Sequence, residues 1–235
     1  MRLDKYISDM VTSSRKEAKK LINKKKVKVN GEIILDEGYK VSEHNDIIMI
    51  DEKQIIYQQF HYYILNKPKG LVTSTLDENP TVMSLIHEYP KYNLAPVGRL
   101  DKDTEGLLLI TDDGILSHLL TSPKHHVDKT YYVELLKDIS ISDIQKLEEG
   151  IILDDGYKTK EARVKMISPK TIELTIHEGK YHQVKRMLES VNNKVTYLKR
   201  ISFGPLNLGN LELGTYRELT EKEVEILNKI KNKSN

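Results

Sequence analysis

One stretch constrains the chain more than any other: Gly98-Arg99-Leu100-Asp101-Lys102-Asp103-Thr104-Glu105-Gly106, which runs at once into Leu107-Leu108-Leu109-Ile110. A loop of three carboxylates and two cations, bracketed by glycines, must therefore stand at the mouth of a buried strand. An acid so placed, with Arg99 two residues before Asp101, can be held ionised and aimed, as a nucleophilic or acid–base carboxylate requires. For an arbitrary loop of this kind a polar turn between strands is the plainer reading. A calcium loop is a looser match, through Asp101, Asp103, Glu105, Gly106 and Asp112. It fails because Leu107 to Thr111 read as a strand, no helix enters at Leu100, and the last ligand is Asp. No metal is expected.

The 235 residues can bury a full core in one large or two smaller domains. Net charge is only +2, but its placement is uneven. Residues 1–30 hold ten Lys/Arg against three Asp/Glu, and residues 31–60 hold two against seven. This marks a basic module at the start of the chain. With no cysteine, disulfides, thiolate zinc sites and a cysteine nucleophile are excluded. No apolar stretch approaches the ~20 residues that span a bilayer, and the N-terminus lacks a signal-type apolar segment. The expected location is the cytoplasm, without membrane partners.

Leu3, Tyr6, Ile7 and Met10 recur at helical spacing, and Thr12-Ser13-Ser14 with Glu17 offers a capping box for a second helix reaching about Asn23. Val27-Lys28-Val29 alternates as a strand before the turn Asn30-Gly31. Arg15, Lys16, Lys19, Lys20 and the run Lys24-Lys25-Lys26 could together grip a phosphate backbone. A solvated helix face is the blander reading, yet the charge excess favours RNA. Arg2-Leu3-Asp4-Lys5, Ser14-Arg15-Lys16-Glu17-Ala18 and Val27-Lys28-Val29-Asn30-Gly31 make the segment resemble the S4 RNA-binding domain over about residues 1–50. That resemblance implies RNA binding through residues such as Arg2, not a reaction. Residues 47–58 read as a last strand followed by a linker.

From His61 onward strands and helices interleave. Strands are expected at 62–66, 71–73, 107–110, 129–135, 162–167, 171–176, 195–201 and 211–213; helices at 80–89, 114–120, 142–149, after Gly179 to about Val191, and from Thr220 to about Ile230. Such short mixed elements predict an α+β fold with a largely antiparallel sheet. The division expected is an RNA-binding domain at 1–56 and a larger domain at 60–235. Within Glu178-Gly179-Lys180-Tyr181-His182-Gln183-Val184-Lys185-Arg186-Met187, helical spacing would point His182, Lys185 and Arg186 one way. They could then meet RNA or pair a buried carboxylate, although a plain basic surface helix is the simpler account. Ser122-Pro123-Lys124-His125-His126 reads as RNA-facing or structural, not as a metal site.

Asn66-Lys67-Pro68-Lys69-Gly70, Gly98-Arg99-Leu100-Asp101, Lys129-Thr130-Tyr131 and His182-Gln183-Val184-Lys185-Arg186 follow one another as in the RNA pseudouridine synthases that act on ribosomal RNA. The resemblance reaches from the S4-like start to Thr220. It implies a synthase domain in which the essential aspartate is Asp101, the tyrosine Tyr131 and the basic residue Lys185, where many relatives carry Arg. Asp103 and Tyr132 are the neighbours most easily confused with these residues. It also implies isomerisation of a uridine with no cofactor, and RNA contacts by Lys67, Arg99, His182 and Arg186. Among such enzymes the chain looks most like the small-subunit 16S rRNA type, with its position-516 type uridine. The expected partner is 16S rRNA or a small-subunit assembly intermediate, met by a monomer. A 23S enzyme of the same family is one alternative. A non-catalytic RNA-binding or ribosome-assembly factor is the other, disfavoured because an acid in an RNA-facing cleft repels phosphate.

Overall fold

In the computed structural model, which describes residues 1–12, 14–43, 45–89, 92–122 and 125–233, the chain divides into two units, Met1–Phe60 and His61–Asn235. In the first unit Leu3, Tyr6 and Ile7 bury one face of α1 (Leu3–Met10). Ala18 and Ile22 do the same for α2 (Arg15–Asn23), whose first turn is capped by Ser14 accepting from the Glu17 N–H at 3.3 Å. The helices cover an antiparallel sheet in the order β2-β1-β3-β4, made of β1 (Val27–Val29), β2 (Glu32–Ile33), β3 (Ile48–Ile50) and β4 (Lys53–Ile55). Asn30 and Gly31, with φ of 52° and 91°, form the tight β1–β2 turn that their composition predicts. The stretch expected as linker instead continues the sheet. Asp51 and Glu52 both adopt positive φ and fold Lys53–Ile55 back onto β3.

The second unit is built on a nine-stranded sheet in the order β13-β5-β7-β11-β8-β10-β9, with β6 beside β7 and β12 beside β11. Its strands are β5 (Tyr62–Lys67), β6 (Ala95–Pro96), β7 (Glu105–Thr111), β8 (Lys129–Leu135), β9 (Arg163–Ser168), β10 (Thr171–Ile176), β11 (Val195–Phe203), β12 (Leu206–Asn207) and β13 (Tyr216–Glu218). Every pairing is antiparallel except β7 with β11. The α+β class and the largely antiparallel sheet are therefore as the sequence predicts. The parallel pair meets at Gly106 (φ 107°), where a Cβ would lie 2.2 Å from the Arg200 carbonyl oxygen. Only glycine admits that approach.

Among the described residues four α-helices complete the unit: α3 (Gly114–Thr121), α4 (Ile141–Glu148), α5 (Gln183–Glu189) and α6 (Glu221–Lys233). Asp113 is wholly buried, caps α3 through Leu116 N–H at 3.1 Å, and also accepts from Tyr62 at 3.0 Å and Lys231 at 2.8 Å. Burial alone would raise its pKa, but these donors outweigh it and hold the carboxyl below the usual range.

Three further expectations fail. Residues 80–89 contain only a single 3₁₀ turn at Val82–Leu85, because Thr81 provides no side-chain cap and Ile86 N–H closes back on Met83. Residues 71–73 form no strand; Thr73 turns inward to bond the backbone of Leu100. Leu211–Leu213 is a loop with Leu213 exposed, and the strand comes later, at Tyr216–Glu218.

Candidate active site

The Asp101 loop is held from below by backbone chemistry. Lys67, fully buried at the end of β5, directs its Nζ at the carbonyls of Pro68 (3.0 Å), Asp101 (3.0 Å), Lys102 (3.4 Å) and Thr104 (2.9 Å). Thr73 Oγ1 donates to the Leu100 carbonyl at 2.7 Å and accepts from its N–H at 3.2 Å. Gly70 N–H donates to Lys102 O at 2.7 Å. The expectation that Lys67 contacts RNA is thus corrected: its ammonium is buried and spent on the loop. Burial lowers its pKa to about 8, although Asp101, Asp103 and Glu105 pull the other way.

Above this frame lies a cavity of about 1260 Å³ lined by Asp101, Tyr131, His182, Lys185, Lys129 and Arg200, among others. Lys185 Nζ donates to Asp101 Oδ2 at 3.0 Å and to Asp103 Oδ1 at 2.7 Å. The two acids differ in setting: the Asp101 side chain is 29% exposed and that of Asp103 71%. Burial tends to lower the Lys185 pKa, but its bonds to Asp103 and Asp101 raise it overall, so the ammonium stays charged. The same bond from Lys185 lowers the Asp103 carboxyl. Tyr131 is 8% exposed on β8 and shares the cavity, whereas Tyr132 points to the opposite sheet face beside Tyr197 and Glu134.

The helical reading of His182, Lys185 and Arg186 is half right. α5 begins only at Gln183, and His182 precedes it in the left-handed region (φ 48°), stacked on Tyr181 with ring centroids 3.8 Å apart. Its Nε2 stands 3.7 Å from Asp101 Oδ1. Arg186 turns away from that carboxylate and pairs with Asp154 (2.5 Å) and Asp155 (2.7 Å). The bend before α5 is set by buried Glu178, which accepts from Tyr157 (2.5 Å), Lys160 N–H (3.1 Å) and Gln183 (2.9 Å). Burial opposes the charge of Glu178, yet these donors keep its pKa low. Arg99 is exposed at the cavity rim.

In the first unit Arg15, Lys16, Lys20 and Lys24 are exposed. Lys19 pairs with Glu37 at 2.7 Å. Arg2 is drawn into a two-pronged bond with buried Asp4 (3.0 and 3.1 Å), a structural use that the sequence reading did not assign to it. Pro123 and Lys124 lie outside the described residues, as does Ser13. Sequence reasoning named Glu178 only as the first residue of the stretch around His182, and it assigned no role to Thr73 or Arg200, because their partners are set by the tertiary fold. Among the described residues no group of three or more His, Asp or Glu is placed to hold a metal ion, and no helix is long and apolar enough to cross a membrane.

A family model for RNA pseudouridylate synthase matches residues 61–190, and one for the S4 domain matches residues 1–48. An RNA pseudouridine synthase of Bacillus subtilis, named as uncharacterized, is 43% identical over 235 residues, covering 97% of this chain and 98% of that one. Ribosomal small subunit pseudouridine synthase A of Haemophilus influenzae is 41% identical over 230 residues, covering 97% and 99%. The protein of the same name from Escherichia coli is 40% identical over 227 residues, covering 95% and 98%. A crystal structure of a pseudouridylate synthase, 40% identical, superposes with a TM-score of 0.69 over 97% of this chain and 99% of that one. The chain therefore belongs to the RNA pseudouridine synthases, enzymes that isomerise uridine, and carries an S4 domain ahead of its synthase domain.

Proposed function

We propose that the protein converts a uridine of small-subunit ribosomal RNA to pseudouridine in the cytoplasm, as a monomer, with Asp101 as the reacting carboxylate. The observation that carries this reading is the 3.0 Å bond from Lys185 to Asp101 within a cavity that also holds Tyr131. The relatives named for the small ribosomal subunit support the choice of RNA.

The chemistry detaches the base at C1′–N1, rotates it and joins C1′ to C5. It needs no redox change and no energy input, so no cofactor is called for. Asp101 acts at the sugar, as nucleophile at C1′ or as the base that takes a sugar proton. Lys185 donates to it at 3.0 Å and balances its charge in a pocket from which the nucleotide excludes water. Tyr131 stacks on the base and relays the proton that leaves C5. The uridine must first leave its stack, at a cost of a few kcal/mol, and cationic contacts such as Arg99, Arg15, Lys16, Lys20 and Lys24 offset that cost. The position-516 type site is the uridine we assign.

Tritium release from C5-labelled uridine, with 16S and 23S rRNA in parallel as naked RNA and as ribosomal particles, tests the reading. Release from 16S material alone, abolished in Asp101→Asn while RNA binding stays near normal, is the expected result. Release from 23S material alone would overturn the substrate. No release with tight binding would favour an assembly factor.

A further inference from the structure

Arg200 lines the catalytic cavity from β11 and is 2% exposed. Its Nε donates to the Leu107 carbonyl at 2.8 Å, while Nη2 is buried with no partner. Among the described residues no carboxylate forms an ion pair with it. Its guanidinium lies 4.9 Å from the Phe203 ring centroid, and Lys129 Nζ lies 5.5 Å from the same ring. Lys129 spends one proton on the Val127 carbonyl at 2.9 Å. The two acids that act on Lys129 are engaged elsewhere: Asp128 with His177 at 2.6 Å and with Arg163, Glu178 with Tyr157, Gln183 and a backbone N–H. Burial, and after it Arg200, lower the Lys129 pKa to about 8, against the weaker pull of Asp128 and Glu178.

A buried guanidinium and a half-buried ammonium, neither in an ion pair among the described residues, are costly, and one bond to a carbonyl is work that a neutral donor could do. The register says what they face. Arg200 is directly opposite Tyr131 across the β11–β8 ladder, and Lys129 precedes Tyr131 by two residues. All three side chains thus share one sheet face. A base stacked on Tyr131 would lie on the sheet face that carries the guanidinium.

Resting on the assignment of Asp101 and Tyr131 above, we propose that Arg200, supported by Lys129, is a further catalytic residue that stabilises the negative charge on the uracil as it detaches. When C1′–N1 breaks, the bonding pair passes to N1 and spreads over O2 and O4. Arg200 donates hydrogen bonds to that charge and keeps its own protons. Asp101 meanwhile holds C1′ as an ester or has taken a sugar proton; as C1′–C5 forms from the base carbon that ester bond breaks or that proton returns, the C5 proton leaves by way of Tyr131, and N1 takes up one proton from water, so the base ends neutral. A donor aimed where charge develops acts on turnover, not on ground-state affinity.

The test is single-turnover tritium release together with RNA affinity across a potassium chloride series, for the wild-type protein, Arg200→Met, Arg200→Lys and Lys129→Met, each checked by thermal unfolding. Arg200→Met should lose on the order of 10²-fold or more in rate, with affinity and salt slope unchanged, and Arg200→Lys should recover part of the rate. Should Arg200→Met fail to fold, Lys129→Met decides, with a smaller loss in rate at unchanged affinity. Weakened binding with a shallower salt slope and a normal rate would overturn the proposal in favour of a phosphodiester contact. An unchanged rate in a folded variant would reduce Arg200 to a packing cation. No release by the wild-type protein on any rRNA would sink the assignment on which the proposal rests, a result separate from either.

Discussion

Lys67 shows how much of this site is made by side chains that never meet the substrate. Its ammonium can donate only three protons, yet four carbonyls surround it within 3.4 Å, three of them in the loop that carries Asp101. Methionine of similar length would fill the space and leave those carbonyls unpaired. Lys67→Met should therefore lose about 2–4 kcal/mol of stability, read as a lower urea midpoint at unchanged slope. Turnover should fall further than RNA affinity, because the loop that aims Asp101 loosens. Equal losses in both would mean that Lys67 serves the fold alone. Asp103 is the opposite case. It sits closer to Lys185 than Asp101 does, but its exposure gives it the character of a charge partner at the rim.

Among the elements, β7 and α6 carry the sharpest demands. Gly106→Ala would place a methyl against the Arg200 backbone at a positive φ, splitting the parallel β7–β11 pair, at a cost of about 3 kcal/mol or more. Calorimetric unfolding would show it as a large drop in Tm. At the start of α6, Arg217 holds Glu223 through two bonds of 2.8 Å, and Thr220 and Glu223 cap each other. Arg217 is the main cause that lowers the Glu223 pKa to about 2 from 4.5. A carboxyl lowered on folding adds stability that is complete above pH ~4.5 and is lost as pH falls toward ~2. Glu223→Gln should cost about 1–3 kcal/mol at neutral pH and close the gap to wild type in acid. A gap independent of pH would refute the ion pair. Capping and alternation made most such elements legible: Ser14 marks α2, Asp113 marks α3, and Tyr131 and Val133 alternate inward on β8. Pattern failed where tertiary bonds decide, as at Thr73, Lys53–Ile55 and the bend that Glu178 imposes on His182. The Asp101–Lys185 pair was legible as a family motif, whereas Arg200 carries no local signal and is placed only by strand register.

For the whole molecule the question is how a chain of net charge +2 holds a polyanion. Its answer is segregation: ten cations against three acids in residues 1–30, then two against seven in residues 31–60. The fold uses part of that excess internally, pairing Arg2 with Asp4, Lys19 with Glu37, Lys26 with Asp51 and Lys28 with Glu52. Arg15, Lys16, Lys20 and Lys24 are exposed and make no ion pair among the described residues. Each phosphate neutralised on single-stranded RNA contributes about 0.7 to the slope of log K against log salt. Changing all four to glutamine should therefore flatten the slope by about 3 and weaken binding most at low salt. The single-turnover rate at saturating RNA should be untouched, since none of the four belongs to the unit that holds Asp101. The measurement is filter binding from low to physiological potassium chloride beside the tritium assay. An unchanged slope would mean that this face does not meet the backbone and that the synthase unit alone carries the phosphate contacts. A lost rate at saturation would mean that the first unit takes part in arranging the target uridine, not only in holding the RNA.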